Sequence, residues 1–178
     1  LFNEPLADRD ILKRIKTVKK YCPHSYVRMN SNGDYLTKEY LEELNEAGLD
    51  EMLITLHMNH VEQYSDEIAE EKLQKFFTRL GLEYTITSRK SMHNLSCDLI
   101  YKGIRMLVVT NNWLEDGNDR GGELKELSIE NRTQPCTTPF REVSIDVDGK
   151  VRFCWNIFVN ADYIGNVNDL SVLDIYFS

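Results

Sequence analysis

The stretch Thr37–Leu56, TKEYLEELNEAGLDEMLITL, contains the signals that decide the fold. Thr37 is a suitable N-cap for a helix, and Gly48 stands where a C-cap glycine belongs. Between them, apolar side chains recur at the spacing of one helix face: Tyr40, Leu41, Leu44 and Ala47. Met52–Leu56 is a short apolar run that predicts a buried strand. A helix followed directly by a buried strand is the repeating unit of an α/β protein.

The same alternation continues on both sides of this stretch. Apolar periodicity predicts helices at Asp8–Lys20 and Ile68–Leu80, and short strands at Ser25–Met29 and Glu83–Thr87. Strands that alternate with helices form right-handed crossovers and pair in parallel, as a sheet or as a barrel. The ligands of such folds gather at the carboxyl ends of the strands. Functional residues are therefore expected just past each predicted strand.

Beyond residue 90 the sequence is richer in strand signals. Leu99–Tyr101 and Ile104–Thr110 are predicted to form a strand pair or a late barrel strand. Val143–Val147 and Lys150–Cys154 alternate on either side of a turn, which is typical of a β-hairpin. Asp169–Tyr176 is predicted as a short helix. The chain thus divides into an α/β part and a smaller part that is rich in β structure.

Composition limits the classes of function. The 178 residues are 42% hydrophobic and carry 21 Lys and Arg against 29 Asp and Glu, a net charge of −8. An acidic chain is poorly suited to a polyanion, so we expect no nucleic-acid partner. The sequence has no apolar run long enough for a membrane span and no visible secretory signal, so we expect a cytoplasmic protein without membrane contact.

The four cysteines include one pair with informative spacing. Cys136 is followed by twelve residues, then Gly149, then four residues, then Cys154. Gly149 would make the hairpin turn, and a hairpin can bring its two ends close enough for both thiolates to reach one iron–sulfur cluster. Two thiolates are an incomplete ligand set. The alternative is a pair of buried free thiols in a small β unit.

The cysteine hairpin resembles the start of a SPASM or twitch domain, the auxiliary cluster domain attached to radical SAM enzymes. The resemblance rests on Cys136–Pro139, Val143–Val151, Cys154, Ile164–Val167 and Leu173–Ile175. Three segments of the first half are similar, in the right order, to strand ends of the radical SAM barrel: Phe2–Leu6, Asn30–Gly33 and Leu53–His57. The resemblance implies a partial (β/α) barrel of the radical SAM type over residues 1–130. It also implies the start of a small, hairpin-containing auxiliary cluster domain over residues 131–178.

The resemblance also implies roles for individual residues. Asn3 and Glu4 would meet the amino group of S-adenosylmethionine, where a carboxylate suits an ammonium group. Ser31 and Asn32 would lie near the same cofactor. Two further residues would complete the cofactor site, Thr55 near the ribose and His57 at the mouth, and Cys136 and Cys154 would bind an auxiliary [4Fe–4S] cluster.

One element of the family pattern is missing. No three cysteines have the Cys-x3-Cys-x2-Cys spacing that holds the cluster which reduces S-adenosylmethionine. We expect those ligands upstream of Leu1 and further cysteines beyond Ser178, so that this chain is a fragment and does not generate the radical alone. The complete enzyme would be an oxidoreductase or maturase that abstracts hydrogen from a peptide or from a sugar or cyclitol, with electrons from a donor protein.

A contrasting hypothesis remains open. His57 and His60, together with Cys136 and Cys154, form a set of residue types that suits zinc. The chain would then be a non-catalytic cytosolic α/β protein that binds zinc, or binds no metal at all.

Overall fold

The computed structural model describes residues 4–58, 63–116, 133–154 and 163–177. The chain divides into two compact units. The larger unit is Asn3–Asp116, and the smaller unit comprises Gly117–Ser178 together with Leu1–Phe2. The predicted domain boundary between residues 130 and 131 lies outside the described residues, so it stays a prediction.

The larger unit alternates helices and strands, as predicted. It begins with a 3₁₀ turn, Pro5–Ala7, and its helices are α1 (Ile11–Tyr21), α2 (Lys38–Ala47), α3 (Asp66–Leu80) and the short α4 (Trp113–Asp116). Its strands are β1 (Arg28–Ser31), β2 (Glu51–Leu56), β3 (Ser88–Lys90), β4 (Asn94–Tyr101) and β5 (Ile104–Asn111). The capping signals at both ends of α2 are confirmed: Thr37 Oγ1 accepts from Tyr40 N at 3.1 Å, and Gly48 has a φ of 94°.

The strands form one five-stranded mixed sheet in the order β1-β2-β5-β4-β3. The expected parallel pairing holds for β1, β2 and β5, whereas β4 and β3 are antiparallel to their neighbours. The predicted strand pair at residues 99–110 is confirmed as the β4–β5 hairpin, in which Tyr101 pairs with Ile104 across a tight turn. So short a connection cannot make a parallel crossover, and this forces the antiparallel pairing.

Two predicted strands differ from the structure. Residues 83–87 form no strand, because their apolar side chains pack on the core while the ladder begins only at Ser88. Tyr84, for example, stacks on Phe77 with ring centroids 4.4 Å apart. The strand predicted at Ser25–Met29 instead covers Arg28–Ser31, because the Val27 amide donates to the Asp50 side chain rather than to a strand.

One face of the sheet carries the core. Met52 and Ile54 of β2 and Met106 and Val108 of β5 are fully buried, in one cluster with the apolar faces of α2 and α3. Alternate residues of β1, β2 and β5 point to the other face, where Arg28, Asn30 and Arg105 are exposed and Leu53, Thr55, Leu107 and Val109 are half-buried. Residues on this second face are therefore accessible to a ligand or to other parts of a protein.

The smaller unit contains the predicted hairpin in a shorter form. Strands β6 (Ser144–Ile145) and β7 (Lys150–Arg152) pair antiparallel, and Gly149 makes the turn with a φ of 81°. A third strand that the sequence analysis missed, β8 (Gly165–Asn166), pairs with β7, and α5 (Val172–Tyr176) follows it. None of the helices within the described residues has both the length and the apolar character that a membrane span requires.

Candidate functional site

Glu4 is fixed by the 3₁₀ turn that it caps. Its backbone is extended, with φ −85° and ψ 105°, and its Oε1 accepts a hydrogen bond from Leu6 N at 3.0 Å. Pro5 has no N–H, so the Leu6 amide is the first donor that the turn offers to a capping carboxylate. The side chain of Glu4 therefore has a defined position, although it precedes the first strand described.

The same carboxylate reaches the carboxyl end of β1. Ser31 Oγ donates to Glu4 Oε1 at 2.7 Å, and the Asn32 backbone N–H donates to Glu4 Oε2 at 2.8 Å. Ser31 is the last residue of β1 and is 7% exposed. The structure thus brings together three residues that the sequence resemblance had placed near one ligand. We call Glu4, Ser31 and Asn32 the Glu4 cradle.

The turn after β1 orients the hydroxyl of Ser31. The Gly33 N–H donates to Ser31 Oγ at 2.9 Å, so that oxygen accepts from Gly33 and uses its own hydrogen for Glu4. Gly33 has a φ of 75°, and a Cβ there would lie 2.9 Å from both Ile54 Cγ2 and Phe76 Cε2. Glycine therefore meets both needs of this position, the left-handed backbone and the close approach to β2 and α3.

The Glu4 carboxylate keeps room for one more donor. An ionised carboxylate offers about four lone-pair positions on its two oxygens. Oε1 accepts from Leu6 N and Ser31 Oγ, and Oε2 accepts from Asn32 N. Among the described residues no further donor reaches Oε2, which leaves one position there for a donor from a ligand. A half-buried carboxylate with oriented partners and an open position favours a cationic donor such as an ammonium group.

Thr55 and His57 lie at the end of β2, next to the strand that ends in the cradle. Thr55 is half-buried on the face of the sheet opposite the core and pairs with Val109 of β5. His57 follows the strand, is exposed, and stacks on Trp113 with ring centroids 5.9 Å apart and an interplanar angle of 22°. Within the described residues, neither Thr55 nor His57 is hydrogen-bonded to Glu4. Trp113, which the sequence analysis missed, follows β5 and brings an aromatic ring to this edge.

The cysteines of the predicted cluster site lie at the two ends of the hairpin segment. Cys136 is exposed just before a 3₁₀ turn, Thr138–Phe140, and Cys154 is half-buried just after β7. In the part of the chain that the structure describes, no group of three or more His, Cys, Asp and Glu side chains could hold a metal ion. Asn3 and His60 lie outside the described residues. The predicted contact of Asn3 and the zinc site that includes His60 therefore stay predictions.

A pocket of about 410 Å³ opens beside the cradle, on the side of α3. Asn32, His57 and Met58 line it from the strand ends, and Lys72, Lys75 and Arg79 line it from α3. The sequence analysis missed these three cations. Their spacing of three and four residues places them on one stripe of the helix, and that spacing is the signal that identifies them in the sequence.

Two solved structures have a similar fold. The crystal structure of BtrN in complex with AdoMet and 2-DOIA matches 98% of this chain with a TM-score of 0.69 and 19% sequence identity. A crystal structure of selenomethionine BtrN in an open conformation matches 99% with a TM-score of 0.58 and 16% identity. The chain spans 58% and 56% of the length of these two BtrN chains.

At such low identity the likeness establishes the fold alone. It supports the prediction of a radical SAM-like α/β fold. No family model matches the sequence, and no curated protein matches it. The predicted SPASM domain and the assignment of individual residues therefore remain predictions.

Proposed function

We propose that this chain is a segment of a radical SAM enzyme and that the Glu4 cradle holds the methionyl ammonium group of S-adenosylmethionine. The observation that carries the proposal is the Glu4 carboxylate itself. It is anchored by Leu6 N, Ser31 Oγ and Asn32 N, and these three donors from the described residues leave one acceptor position open. The similar fold of BtrN, whose crystal structure contains AdoMet, is consistent with the same cofactor here.

The residues present suit this cofactor chemically. An ammonium group is a donor with a positive charge, and the remaining lone pair of Glu4 Oε2 is an acceptor with a negative charge. Such a charge-assisted hydrogen bond would replace no existing contact, because the three present donors keep their positions. Asn3, the neighbour of Glu4 in sequence, is proposed as a second contact to the same group.

The other strand ends are proposed to contact the rest of the cofactor. Thr55 would present its hydroxyl to the ribose from the open face of β2, and His57 would line the mouth of the site. When bound beside a reducing [4Fe–4S] cluster, S-adenosylmethionine supplies a 5′-deoxyadenosyl radical that removes hydrogen from a substrate. The residues of this chain bind and orient the cofactor. No cysteines here have the spacing needed to hold the reducing cluster.

Residues 131–178 are proposed to begin an auxiliary cluster domain, in which Cys136 and Cys154 are two of the cluster ligands. The β6–β7 hairpin and its left-handed Gly149 support this proposal, since both belong to the expected pattern. The two thiolates need ligands from elsewhere to complete a cluster. The substrate of the whole enzyme is proposed to be a small molecule such as a sugar or cyclitol, or a peptide, and its electrons would come from a donor protein.

The test is binding of S-adenosylmethionine to this 178-residue chain, measured by isothermal titration calorimetry. We expect Glu4→Gln to weaken binding about tenfold, because one charge-assisted hydrogen bond is lost. Glu83→Gln is the matched control, since it removes the same charge from an exposed side chain that, within the described residues, makes no hydrogen bond to Ser31 or Asn32. Absence of binding to the unmodified chain, or equal affinities of the two variants, would contradict the proposal.

A further inference from the structure

Asn32 and Gly33 form the only Asn-Gly pair in the sequence. The side-chain amide of an asparagine is chemically labile, because the backbone nitrogen of the next residue can attack its Cγ. A glycine in that next position lacks the side chain that would hinder the attack. The pair lies in the turn after β1, where the Asn32 backbone N–H holds the carboxylate of Glu4. A reactive pair of residues is thus part of the Glu4 cradle and its turn.

The reaction of such a pair is deamidation, and it consumes one molecule of water. The Gly33 nitrogen, after it loses its proton to hydroxide, forms a bond to Asn32 Cγ. The C–N bond of the side-chain amide breaks, ammonia leaves, and a five-membered succinimide ring remains. Water then opens either carbonyl of the ring, which gives aspartate or isoaspartate at this position. The reaction requires no enzyme, metal or oxidant.

The folded turn keeps the attacking nitrogen occupied. The Gly33 N–H donates to Ser31 Oγ at 2.9 Å, and both residues are buried. Ser31 Oγ is itself fixed, since it donates to Glu4 Oε1 at 2.7 Å. The attack requires the Gly33 N–H to lose its proton to base from water, and a bond to a buried hydroxyl opposes that loss. The reaction therefore requires the turn to open first.

The rest of the reacting segment is held as well. Asn32 Oδ1 accepts from Asp34 N at 2.9 Å. The carbonyl oxygen of Gly33 accepts from Leu36 N at 3.2 Å and from Arg79 Nη2 at 2.6 Å. The side chain that is attacked and the residue that attacks it are thus both fixed by hydrogen bonds, and a local opening must break several of them.

Neither product of deamidation fits this turn. Aspartate would put a second negative charge on the residue whose amide holds Glu4. Isoaspartate would lengthen the main chain by one carbon just before Gly33. There is no room for that change, because even a Cβ on Gly33 would lie 2.9 Å from both Ile54 Cγ2 and Phe76 Cε2. Deamidation would therefore disturb the amide that Asn32 offers to Glu4.

We propose that Asn32 is a deamidation site which the Glu4 cradle keeps closed, and that the reaction disables the cradle. The turn reacts when it opens, so every contact that closes it slows the reaction. A ligand held by Glu4 is one such contact. The protection by Ser31 stands on the hydrogen bonds of the turn alone, whereas the effect of a ligand rests on the proposed function.

Mass spectrometry measures the reaction in the 178-residue chain during incubation at mildly alkaline pH. Trypsin cleaves after Arg28 and Lys38, so one peptide carries both Asn32 and Asn30. Asn30 precedes Ser31 rather than a glycine and serves as the internal reference. We expect Asn32 to react at least about tenfold faster in denaturing urea than in the folded chain, because opening the turn breaks more than one hydrogen bond.

A pair of variants separates the turn from the stability of the fold. Ser31→Ala should speed the reaction of Asn32 in the folded chain about tenfold, because Gly33 N–H loses its acceptor. Thr37→Ala is the matched control and should not. It also removes a hydroxyl that accepts from a backbone N–H, Tyr40 N at 3.1 Å, but it leaves the bond of Gly33 intact. Circular dichroism shows whether both variants fold, and the comparison with urea stands even if Ser31→Ala does not.

The deamidated chain carries one more negative charge and can be isolated by anion exchange. It should unfold at a lower urea concentration than the unmodified chain, because the altered turn no longer fits against Ile54 and Phe76.

Three outcomes would overturn the proposal. These are equal rates of Asn32 in the folded chain and in urea, equal acceleration by Ser31→Ala and Thr37→Ala, and unchanged unfolding of the deamidated chain. S-adenosylmethionine gives a separate test, since it should slow the reaction of Asn32 in the unmodified chain. If it leaves that rate unchanged while the other results hold, the proposed function is contradicted and the deamidation site is supported.

Discussion

Replacement of Gly33 by alanine tests whether the turn after β1 is as constrained as the structure indicates. Gly33 has a φ of 75°, and a Cβ would lie 2.9 Å from Ile54 Cγ2 and 2.9 Å from Phe76 Cε2. Both neighbours are core residues, with exposures of 0% and 4%. Neither can move aside freely, because each packs against other buried side chains.

Two costs add up at this position. An alanine in the left-handed region costs about 1 kcal/mol relative to glycine. An extra methyl group forced into a packed core costs about 1–3 kcal/mol more. Gly33→Ala should therefore lower the free energy of unfolding by about 2–4 kcal/mol. Because the Gly33 amide also orients Ser31 Oγ, the same change should weaken ligand binding at the Glu4 cradle.

Gly81 provides the matched control. It caps α3 with a φ of 63°, but no atom of the described residues lies within 4 Å of a Cβ placed there. Gly81→Ala should therefore carry the backbone cost alone, about 1 kcal/mol. Urea unfolding followed by far-ultraviolet circular dichroism measures both variants against the unmodified chain. If Gly33→Ala is no more destabilising than Gly81→Ala, the close packing of the turn against Ile54 and Phe76 is refuted.

Three further outcomes are expected. Partial burial of Asp50 opposes its ionisation, but hydrogen bonds from Lys19 and from Val27 N together outweigh that effect and lower the pKa of Asp50. Because the folded-state pKa is depressed, the contribution of Asp50 is present above the unfolded-state pKa of about 3.9 and is lost as pH falls through the folded-state value. Asp50→Asn should thus flatten the acid limb of a stability–pH curve, and an unchanged limb would contradict the role of Asp50. Burial raises the pKa of Cys97 to about 11, so Ellman's reagent at pH 8 should modify exposed Cys22 quickly and Cys97 only after unfolding. Equal rates would refute the burial of Cys97. After anaerobic reconstitution, the double variant Cys136→Ser with Cys154→Ser should contain less iron than the unmodified chain, whereas the control Cys22→Ser should not. If the double variant keeps the same iron content, or if the unmodified chain binds zinc instead of iron, the auxiliary cluster is contradicted.

The helices and their ends were predictable because their signals are local. Thr37 and Gly48 are caps within a few residues of the helix they close, and the structure places both as caps. The β4–β5 hairpin was also predictable, since the two strands are joined by a tight turn. Residues 83–87 show where this approach fails. Alternating apolar residues predict a strand there, but in the structure the alternation reflects packing on Phe77 and the core. A strand also requires a neighbouring strand to pair with, and the local sequence does not show whether one is present.

The candidate site was predictable only in part, for the same reason. The hydrogen bond from Ser31 to Glu4 joins residues 27 positions apart, and no local pattern encodes it. The resemblance to a family placed both residues near one ligand, and the fold supplied the geometry. Lys72, Lys75 and Arg79 were missed because a row of cations on a helix ordinarily faces solvent; only the packing of α3 beside the turn at Gly33 makes that row the wall of a pocket.

The end of β2 determines which surface the side chain of His57 contributes to. Along β2, Thr55 lies on the open face of the sheet, and strict alternation would place His57 on that same face. The strand ends at Leu56, however, and Leu56, His57 and Met58 all line the pocket beside α3. Alternation ends where the ladder ends, so three consecutive residues can contribute to one concavity. The ring of His57 also stacks on Trp113, beyond the end of β5. His57 therefore lines the pocket beside α3 as well as being proposed for the mouth of the cofactor site, and the stack on Trp113 makes its position depend on both strands.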